Sequence, residues 1–441
     1  MLLHPVLLEK LNAALLPLPP AGLTARDARL PGVPGKVHAV IGMRRAGKTT
    51  FLRQLQTERR RELAPERAVY LSFDDDRLAG LGVDQLSLLL EEFYRRYPQL
   101  RGRETVHWFL DEIQLVPGWD RFVRRVMDSE NVAIVVSGSS ARMLSREVHS
   151  SLRGRGMETV IRPFGFREYL RHRGEEPKNA PGRWTSRQRS WVEKRFGEYL
   201  REGGFPETQG LAPALRVDLL QGYVNTVLFR DVVERYGVSQ VAALRWLIRQ
   251  CLRNPAGAFS VHRLHLDLKA QGHGVAKDAV HAMFDYLQDA FLIDAVALAT
   301  DSERRRNSNP RKIYPVDTGM IGAFDTSARA NAGHALECVV HGELARRGAA
   351  IGYVRTGQGF EVDFHVRLPG HAAELIQVCA DIADAGTLAR ELRALKDAAR
   401  EFPRATRRLL VLERSPLLAV AQLGVVVQTA YEWLLTAAGA D

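Results

Sequence analysis

Residues 37–50 read VHAVIGMRRAGKTT, and the other segments of the chain take their meaning from this one. Residues 37–41 are almost wholly apolar with β-branched members, the pattern of a buried parallel strand. Gly42-Met43-Arg44-Arg45-Ala46-Gly47-Lys48-Thr49 then fits the spacing G-x-x-x-x-G-K-[ST] at every fixed position. Glycines let such a loop curl until successive backbone N–H groups face phosphate oxygens, and the dipole of the helix that follows adds to the field. The spacing predicts that Gly42, Arg45, Ala46, Gly47, Lys48, Thr49 and Thr50 hold a nucleotide. Lys48 would reach the β- and γ-phosphates, and the Thr49 hydroxyl would ligate Mg²⁺.

The chain has 441 residues, enough for two or three domains, and 46% of them are hydrophobic, which excludes a disordered chain. Lysine and arginine number 62 against 51 acids, a formal charge of +11 that favours a polyanionic partner, nucleic acid first. Cys251, Cys338 and Cys379 lie far apart with no C-x-x-C pair. That argues against a zinc site or disulfide framework and suits a reducing, cytoplasmic setting. The first 20 residues have no basic segment before their apolar part and carry Glu9 and Lys10, so they read as an amphipathic helix and not as a signal peptide. Residues 417–440 are apolar but interrupted by Gln422, Gln428 and Glu432, which fits a buried strand and terminal helix better than a membrane span.

Four further strands are expected after the phosphate loop. One spans residues 67–73 and ends in Asp74-Asp75-Asp76, read as a solvated loop with a helix cap. The next, residues 106–110, ends in Asp111-Glu112 about 60 residues beyond the loop. Ligands gather at the carboxyl edge of open α/β sheets. Asp111 is therefore the candidate to hold Mg²⁺ and Glu112 the candidate to orient and deprotonate the attacking water. Residues 132–136 form another buried strand, followed by Ser137-Gly138-Ser139-Ser140; Ser139 would position water, cap the next helix, or do both. The basic turn Ser151-Leu152-Arg153-Gly154-Arg155 precedes a fifth strand at residues 157–161. In oligomeric ATPases an arginine in this place projects into the neighbouring subunit's site, where such a group supplies about 10³–10⁵ in rate; Arg153 and Arg155 are the candidates.

The expected architecture is α/β: a doubly wound parallel P-loop sheet with an N-terminal helix (1–170), a helical lid (171–256), a winged-helix domain (257–325) and a C-terminal α/β domain (326–441). The winged helix is read from helices at residues 261–270 and 277–289 and a hairpin whose tip carries Arg304, Arg305, Arg306, Arg311 and Lys312, the candidate DNA contacts. In the last segment Glu337 lies on a helix, Asp363 on a strand, and Gln377-Val378-Cys379 on the next strand, with 13 residues between Asp363 and Gln377. An acid on a helix, an Asp on a strand and acid-x-Lys on the next is a two-carboxylate, Mg²⁺-dependent nuclease arrangement. Here Gln377 and Cys379 stand where the second acid and the lysine are expected, so the fold is expected without the cleavage.

GMRRAGKTT, HWFLDEIQ, VVSGSSARMLS, SLRGR, RPFGFREYL, GGFPE, RKIYPVDTG and GFEVDFHV occur in that order. Together they resemble a family of bacterial and archaeal AAA-type ATPases that carry a C-terminal domain of unknown function related to the PD-(D/E)XK nucleases. The likeness runs over nearly the whole chain. It implies ATP binding at residues 42–50, hydrolysis through Asp111 and Glu112, and a nuclease-like fold after about residue 330. The expected activity is that of an ATP-hydrolysing, hexameric AAA+ protein that binds DNA, branched forms included, and translocates on or remodels it. An ATP-dependent switch acting on assembly or on a protein partner, and an ATP-coupled nuclease in defence or repair, are the alternatives. No membrane association is expected.

Overall fold

The computed structural model describes residues 2–16, 22–138, 152, 154–325, 332–382, 385–414 and 424–436. They fall into two compact units, residues 1–162 and 163–441.

In the first unit the elements run α1 (Pro5–Leu15), β1 (Val37–Ile41), α2 (Lys48–Arg60), β2 (Ala68–Ser72), α3 (Val83–Arg96), β3 (Val106–Asp111), α4 (Trp119–Ser129), β4 (Val132–Ser137) and β5 (Gly156–Val160). The five strands form one parallel sheet in the order β2-β3-β4-β1-β5. Parallel strands need crossovers that cover both faces, which is why β1 and β3 read as near-continuous apolar runs. Val40, Phe51, Leu52, Tyr70, Phe109 and Val135 close the core between sheet and α2. Because β4 lies between β1 and β3, the carboxyl ends of these three strands stand side by side. His107, set in β3, is held down to about pH 4 by burial and by Arg59 and Arg67.

The second unit opens with helices α5 (Phe166–His172), α6 (Ser186–Glu202) and α7 (Pro213–Thr226); a π-helical turn (Val227–Val233) continues α7, and α8 (Val241–Arg253) follows. Next come β6 (Ala258–Phe259), α9 (Val261–Ala270), α10 (Lys277–Asp289), β7 (Ile293–Val296), α11 (Glu303–Ser308), β8 (Arg311–Pro315) and α12 (Gly319–Phe324). The strands β6, β8 and β7 make a three-stranded antiparallel sheet beside α9 and α10. The segment expected as a basic hairpin tip is in part helical, over α11. The chain then runs α13 (Ala332–Arg346), β9 (Ala350–Arg355), β10 (Glu361–Arg367), β11 (Glu374–Cys379), α14 (Ala385–Glu401), β12 (Thr406–Val411), β13 (Val426–Thr429) and α15 (Ala430–Leu435). Its sheet has the order β13-β12-β11-β10-β9, antiparallel from β9 to β11 and parallel from β11 to β13.

Phe196 and Tyr199, expected in the helical lid, and Phe166 and Tyr169, expected in the P-loop domain, share one apolar core with Leu336, Val340, Tyr431 and Trp433. Three of the quoted sequence motifs meet there through backbone. Phe164 N–H donates to Gly204 O (2.7 Å), and Tyr199 Oη–H donates to Phe164 O (2.8 Å). Gly204 N–H donates to Asp317 Oδ2 (2.6 Å) and Gly319 N–H to Oδ1 (2.9 Å). RPFGFREYL, GGFPE and the Asp of RKIYPVDTG are thus one docking joint inside the second unit.

Burial pushes the Asp317 carboxyl up to about 6, against the two backbone donors that pull it down. Between its ordinary value of 3.8 and 6 the folded chain holds a proton that the unfolded chain has released. Stability therefore falls as pH rises through that window, by up to about 3 kcal/mol from this group. Asp317→Asn should flatten the slope of unfolding free energy between pH 4 and 6, measured by urea melts, whatever offset it adds. An unchanged slope would assign the carboxyl an ordinary titration.

Candidate nucleotide-binding site

The phosphate loop leaves β1 at Gly42 (φ 144°) and enters α2 at Gly47 (φ 99°). A Cβ at Gly42 would overlap the Ile161 carbonyl oxygen, so packing beside β5 requires glycine there as firmly as phosphate access does. Arg45 also has positive φ (67°), and Ala46 is fully buried. Lys48 is buried; its ammonium donates to Gly42 O (2.9 Å) and Met43 O (3.0 Å), folded back on the loop's own carbonyls. Arg26 braces the loop: buried itself, it donates from Nη1 to Ala46 O (2.9 Å) and from Nη2 to Arg162 O.

Asp111 ends β3 and is buried. Thr49 Oγ1–H donates to its Oδ2 (2.8 Å), Tyr70 Oη–H donates to Oδ2 (2.6 Å), and Ser137 Oγ–H donates to Oδ1. Burial and then the Asp111 charge hold the Tyr70 hydroxyl far above its ordinary range, so it stays a donor. The Arg53 guanidinium lies 3.4 Å from the centroid of that ring. Glu112 takes a left-handed backbone (φ 55°), which turns it out of the strand. Its N–H donates to Ser137 Oγ (3.2 Å) and its carboxylate accepts from Gln114 Nε2 (2.5 Å). A hydroxyl and a carboxylate already in contact, ringed by oxygen donors, form a hard set that fits Mg²⁺ and not a softer metal. Thr50 follows Thr49 into the first turn of α2.

Ser137, the last residue of β4, is the hydroxyl of that strand end which reaches Asp111, beside those of Thr49 and Tyr70. Ser139 and Arg153 lie outside the described residues. Arg155 sits just before β5, whose Gly156 is in register with Val37. It thus stands at the start of the sheet, roughly 13–17 Å along β1 from the phosphate loop, and pairs with Asp128. Among the expected DNA contacts, Arg304, Arg305 and Arg311 are exposed, while Arg306 is tied to Glu303 and to Thr300 O (2.7 Å). A cavity of about 310 Å³ opens beside Arg311, lined also by Ser260, Lys277, His281 and Asn309.

Lys312 is a correction. At 4% exposure it cannot offer its charge to a phosphate backbone. Its ammonium contacts Glu337 Oε1 (2.9 Å), Glu361 Oε1 (2.9 Å) and Asp363 Oδ1 (3.0 Å). Glu337, Asp363 and Gln377 are brought together as expected from the sequence, but Gln377 is spent elsewhere: Oε1 accepts from Asp363 N–H (3.2 Å) and Nε2 donates to Glu391 Oε2 (2.7 Å). Cys379 Sγ turns to Asp381 O (3.2 Å). Tyr314 Oη–H donates to Glu337 Oε1 (2.7 Å). Burial and the neighbouring Asp363 push Glu337 upward, with Lys312 opposing. Burial alone would lower Lys312; Asp363, Glu337 and Glu361 overcome it and raise the ammonium well above its ordinary range. Among the described residues no group of three or more His, Cys, Asp or Glu side chains has the geometry of a metal site.

Sequence reasoning missed Arg26, Tyr70, Ser137, Glu361 and Lys312 as partners in these clusters. Ser137 was findable, since it ends a strand that precedes a glycine at the ligand edge of the sheet. Lys312 carried no signal: an Arg-Lys pair in a basic run reads as surface.

A family described as an AAA domain matches residues 34–170, and a domain of unknown function, DUF8612, matches residues 193–330. The uncharacterized protein MJ1544 of Methanocaldococcus jannaschii is 31% identical over 382 residues, covering 86% of this chain and 82% of that protein. The chain belongs to one family with MJ1544, and its residues 34–170 form an AAA-type domain. An uncharacterized protein of Haemophilus influenzae is 26% identical, covering 75% of this chain and 79% of its own length. Among solved structures, Drosophila ORC bound to AT-rich DNA and Cdc6 aligns over 66% of this chain and 85% of that one (8% identity, TM-score 0.21). C. elegans PCH-2 aligns over 58% and 60% (12% identity, TM-score 0.21). At those TM-scores neither structure carries an argument. Among the described residues no helix is long and apolar enough to cross a membrane.

Proposed function

We propose that this AAA-type chain hydrolyses Mg²⁺-ATP and uses the energy to move along or remodel DNA as a homo-oligomeric ring. One observation carries the hydrolysis: Lys48 and Thr49, just after β1, and Asp111 and Glu112, at the end of β3, converge at the carboxyl edge of the sheet on either side of β4. Thr49 and Asp111 would hold Mg²⁺, which neutralises charge on the phosphate oxygens. Lys48, released from the loop carbonyls, binds the terminal phosphates. Ser137 and Tyr70 fix the Asp111 carboxylate, and Glu112 takes the proton of the attacking water. Arg153 or Arg155 completes the site of the next subunit. Wild-type protein mixed with an Arg155→Ala or Arg153→Ala variant should lose activity beyond dilution for the variant that removes the finger. Loss no greater than dilution for both would end action in trans.

The charge of +11, the exposed Arg304, Arg305 and Arg311, and a helix–turn–helix followed by strands β7 and β8 support DNA as the polyanion. ATP turnover should rise several-fold on adding DNA, with affinity that drops steeply with salt. Charge reversal at Arg304, Arg305 and Arg311 together should remove the stimulation and spare basal turnover. Turnover indifferent to linear, single-stranded and branched DNA would replace this reading with the ATP-dependent switch.

We read residues 332–436 as a PD-(D/E)XK-like fold that does not cleave. The succession α13-β9-β10-β11-α14-β12 supports the fold. The commitment of Gln377 to Glu391 and of Cys379 to Asp381 supports the missing chemistry. Nicking of plasmid by the purified chain in Mg²⁺ or Mn²⁺, abolished in Asp363→Asn, would overturn it.

A further inference from the structure

We propose that Lys312 is a built-in cation: its ammonium occupies the point on which the carboxylates of Glu337, Glu361 and Asp363 converge, and keeps a divalent metal out. The three oxygens lie 2.9, 2.9 and 3.0 Å from one nitrogen. They arrive from two elements, α13 and β10, while the lysine arrives from β8 of the other sheet. An exposed ion pair would select no such convergence, because water solvates each charge separately. Here Lys312, Glu337 and Asp363 are all buried, and a buried charge persists only where it is paired.

Glu361, with 44% of its side chain exposed, closes the cluster on the solvent side, while Glu337 and Asp363 are held from within the protein. Asp363 Oδ2 accepts from Val378 N–H (2.9 Å), so only Oδ1 faces the ammonium. Glu337 Oε1 takes both the ammonium and the Tyr314 hydroxyl. Glu391, at the far side of Gln377, is neutralised by Arg390 (2.6 Å). The carboxylates stand at ammonium distance, wider than the roughly 2.0–2.6 Å of Mg²⁺ or Ca²⁺ to oxygen. A divalent ion would have to expel Lys312, whose charge would then be left buried without partners. The lysine thus supplies the positive charge a metal would bring, and it pins β8 to α13 and β10. This inference stands on the geometry of the cluster and does not need the nuclease-like reading.

The test is Mn²⁺ binding to the full, nucleotide-free chain, followed by electron paramagnetic resonance and thermal unfolding. The wild type should bind no Mn²⁺ at this cluster, and its unfolding temperature should be the same in Asp363→Asn and wild type with respect to added metal. Lys312→Ala should unfold several degrees lower, bind one Mn²⁺ per chain, and regain at least half of the lost temperature in millimolar Mn²⁺. The double variant with Asp363→Asn should lose both gains. If Lys312→Ala is insoluble, its recovery only when refolded with Mn²⁺ is the same positive result. Wild-type Mn²⁺ binding that Asp363→Asn abolishes, or a Lys312→Ala chain that Mn²⁺ neither binds nor rescues, overturns the proposal. Plasmid nicking by the wild type that Asp363→Asn abolishes would place a metal at the cluster and overturn this proposal together with the non-cleaving reading.

Discussion

Glu112→Gln keeps ATP bound and slows its hydrolysis about 10²–10⁴-fold, the range for loss of a positioned general base. The amide matches the carboxylate in shape, so its contact with Gln114 and the backbone bond to Ser137 survive, and the left-handed turn is undisturbed. What is lost is the ability to accept a proton from water. Lys48→Ala should behave differently: the ammonium that would meet the phosphates is gone, and binding weakens together with turnover. The two are separated by titrating a fluorescent ATP analogue and measuring phosphate release on the same preparations. Wild-type turnover in Glu112→Gln would remove Glu112 from the chemistry and move the search to the hydroxyls around Asp111.

Gly203→Ala destabilises the second unit by about 4 kcal/mol or more, a size that marks a specific structural fault. Gly203 sits at φ 74° and ψ −172°, a region that only glycine occupies without strain. Its new Cβ would also overlap the Asp317 carboxylate and the Gly319 nitrogen. Moving Asp317 would strip the Gly204 and Gly319 N–H groups of their acceptor, at about 1–3 kcal/mol for each buried orphan. Gly174→Ala is the control: its φ is also positive (70°), but a Cβ there meets nothing within 4 Å. It should cost about 1 kcal/mol. Urea unfolding of the full chain compares them, and equal shifts of midpoint would show that the joint with Asp317 is not what requires glycine.

The candidate nucleotide site was largely legible in the sequence because the residues that form it lie in short local motifs. Gly42 to Thr49 is one loop, and Asp111-Glu112 ends one apolar strand. Each motif is recognisable without knowing what lies beside it. The helices at residues 261–270 and 277–289 were legible for a similar reason, since helical periodicity is written within a single segment. The Ser137 contact was not, because which strand-end hydroxyl meets Asp111 depends on strand order. The sheet places β4 between β1 and β3, and with it the hydroxyl that closes on the carboxylate.

Lys312 is the sharpest case. In the sequence it follows Arg311 in a run of basic residues, and basic runs usually lie in solvent. In the structure Arg311 is exposed while Lys312, on the other face of β8, points into an acidic cluster, because successive side chains of a strand face opposite sides. The glycines at 203 and 204 tell the same story. As letters they suggest a flexible turn, whereas packing against Phe164 and Asp317 makes them a rigid joint.

By itself the sequence determined the P-loop sheet, the phosphate-binding loop and the acids that end β3, since residue types at short spacing impose both local conformation and charge. Only the tertiary structure decided that the Tyr70 and Ser137 hydroxyls close on Asp111, that residues 163–253 join the core of the second unit, and that Lys312 fills the acidic cluster. Those outcomes depend on segments far apart in the chain meeting at distances of about 3 Å. At that range burial and charge act together, and no spacing along the sequence records it.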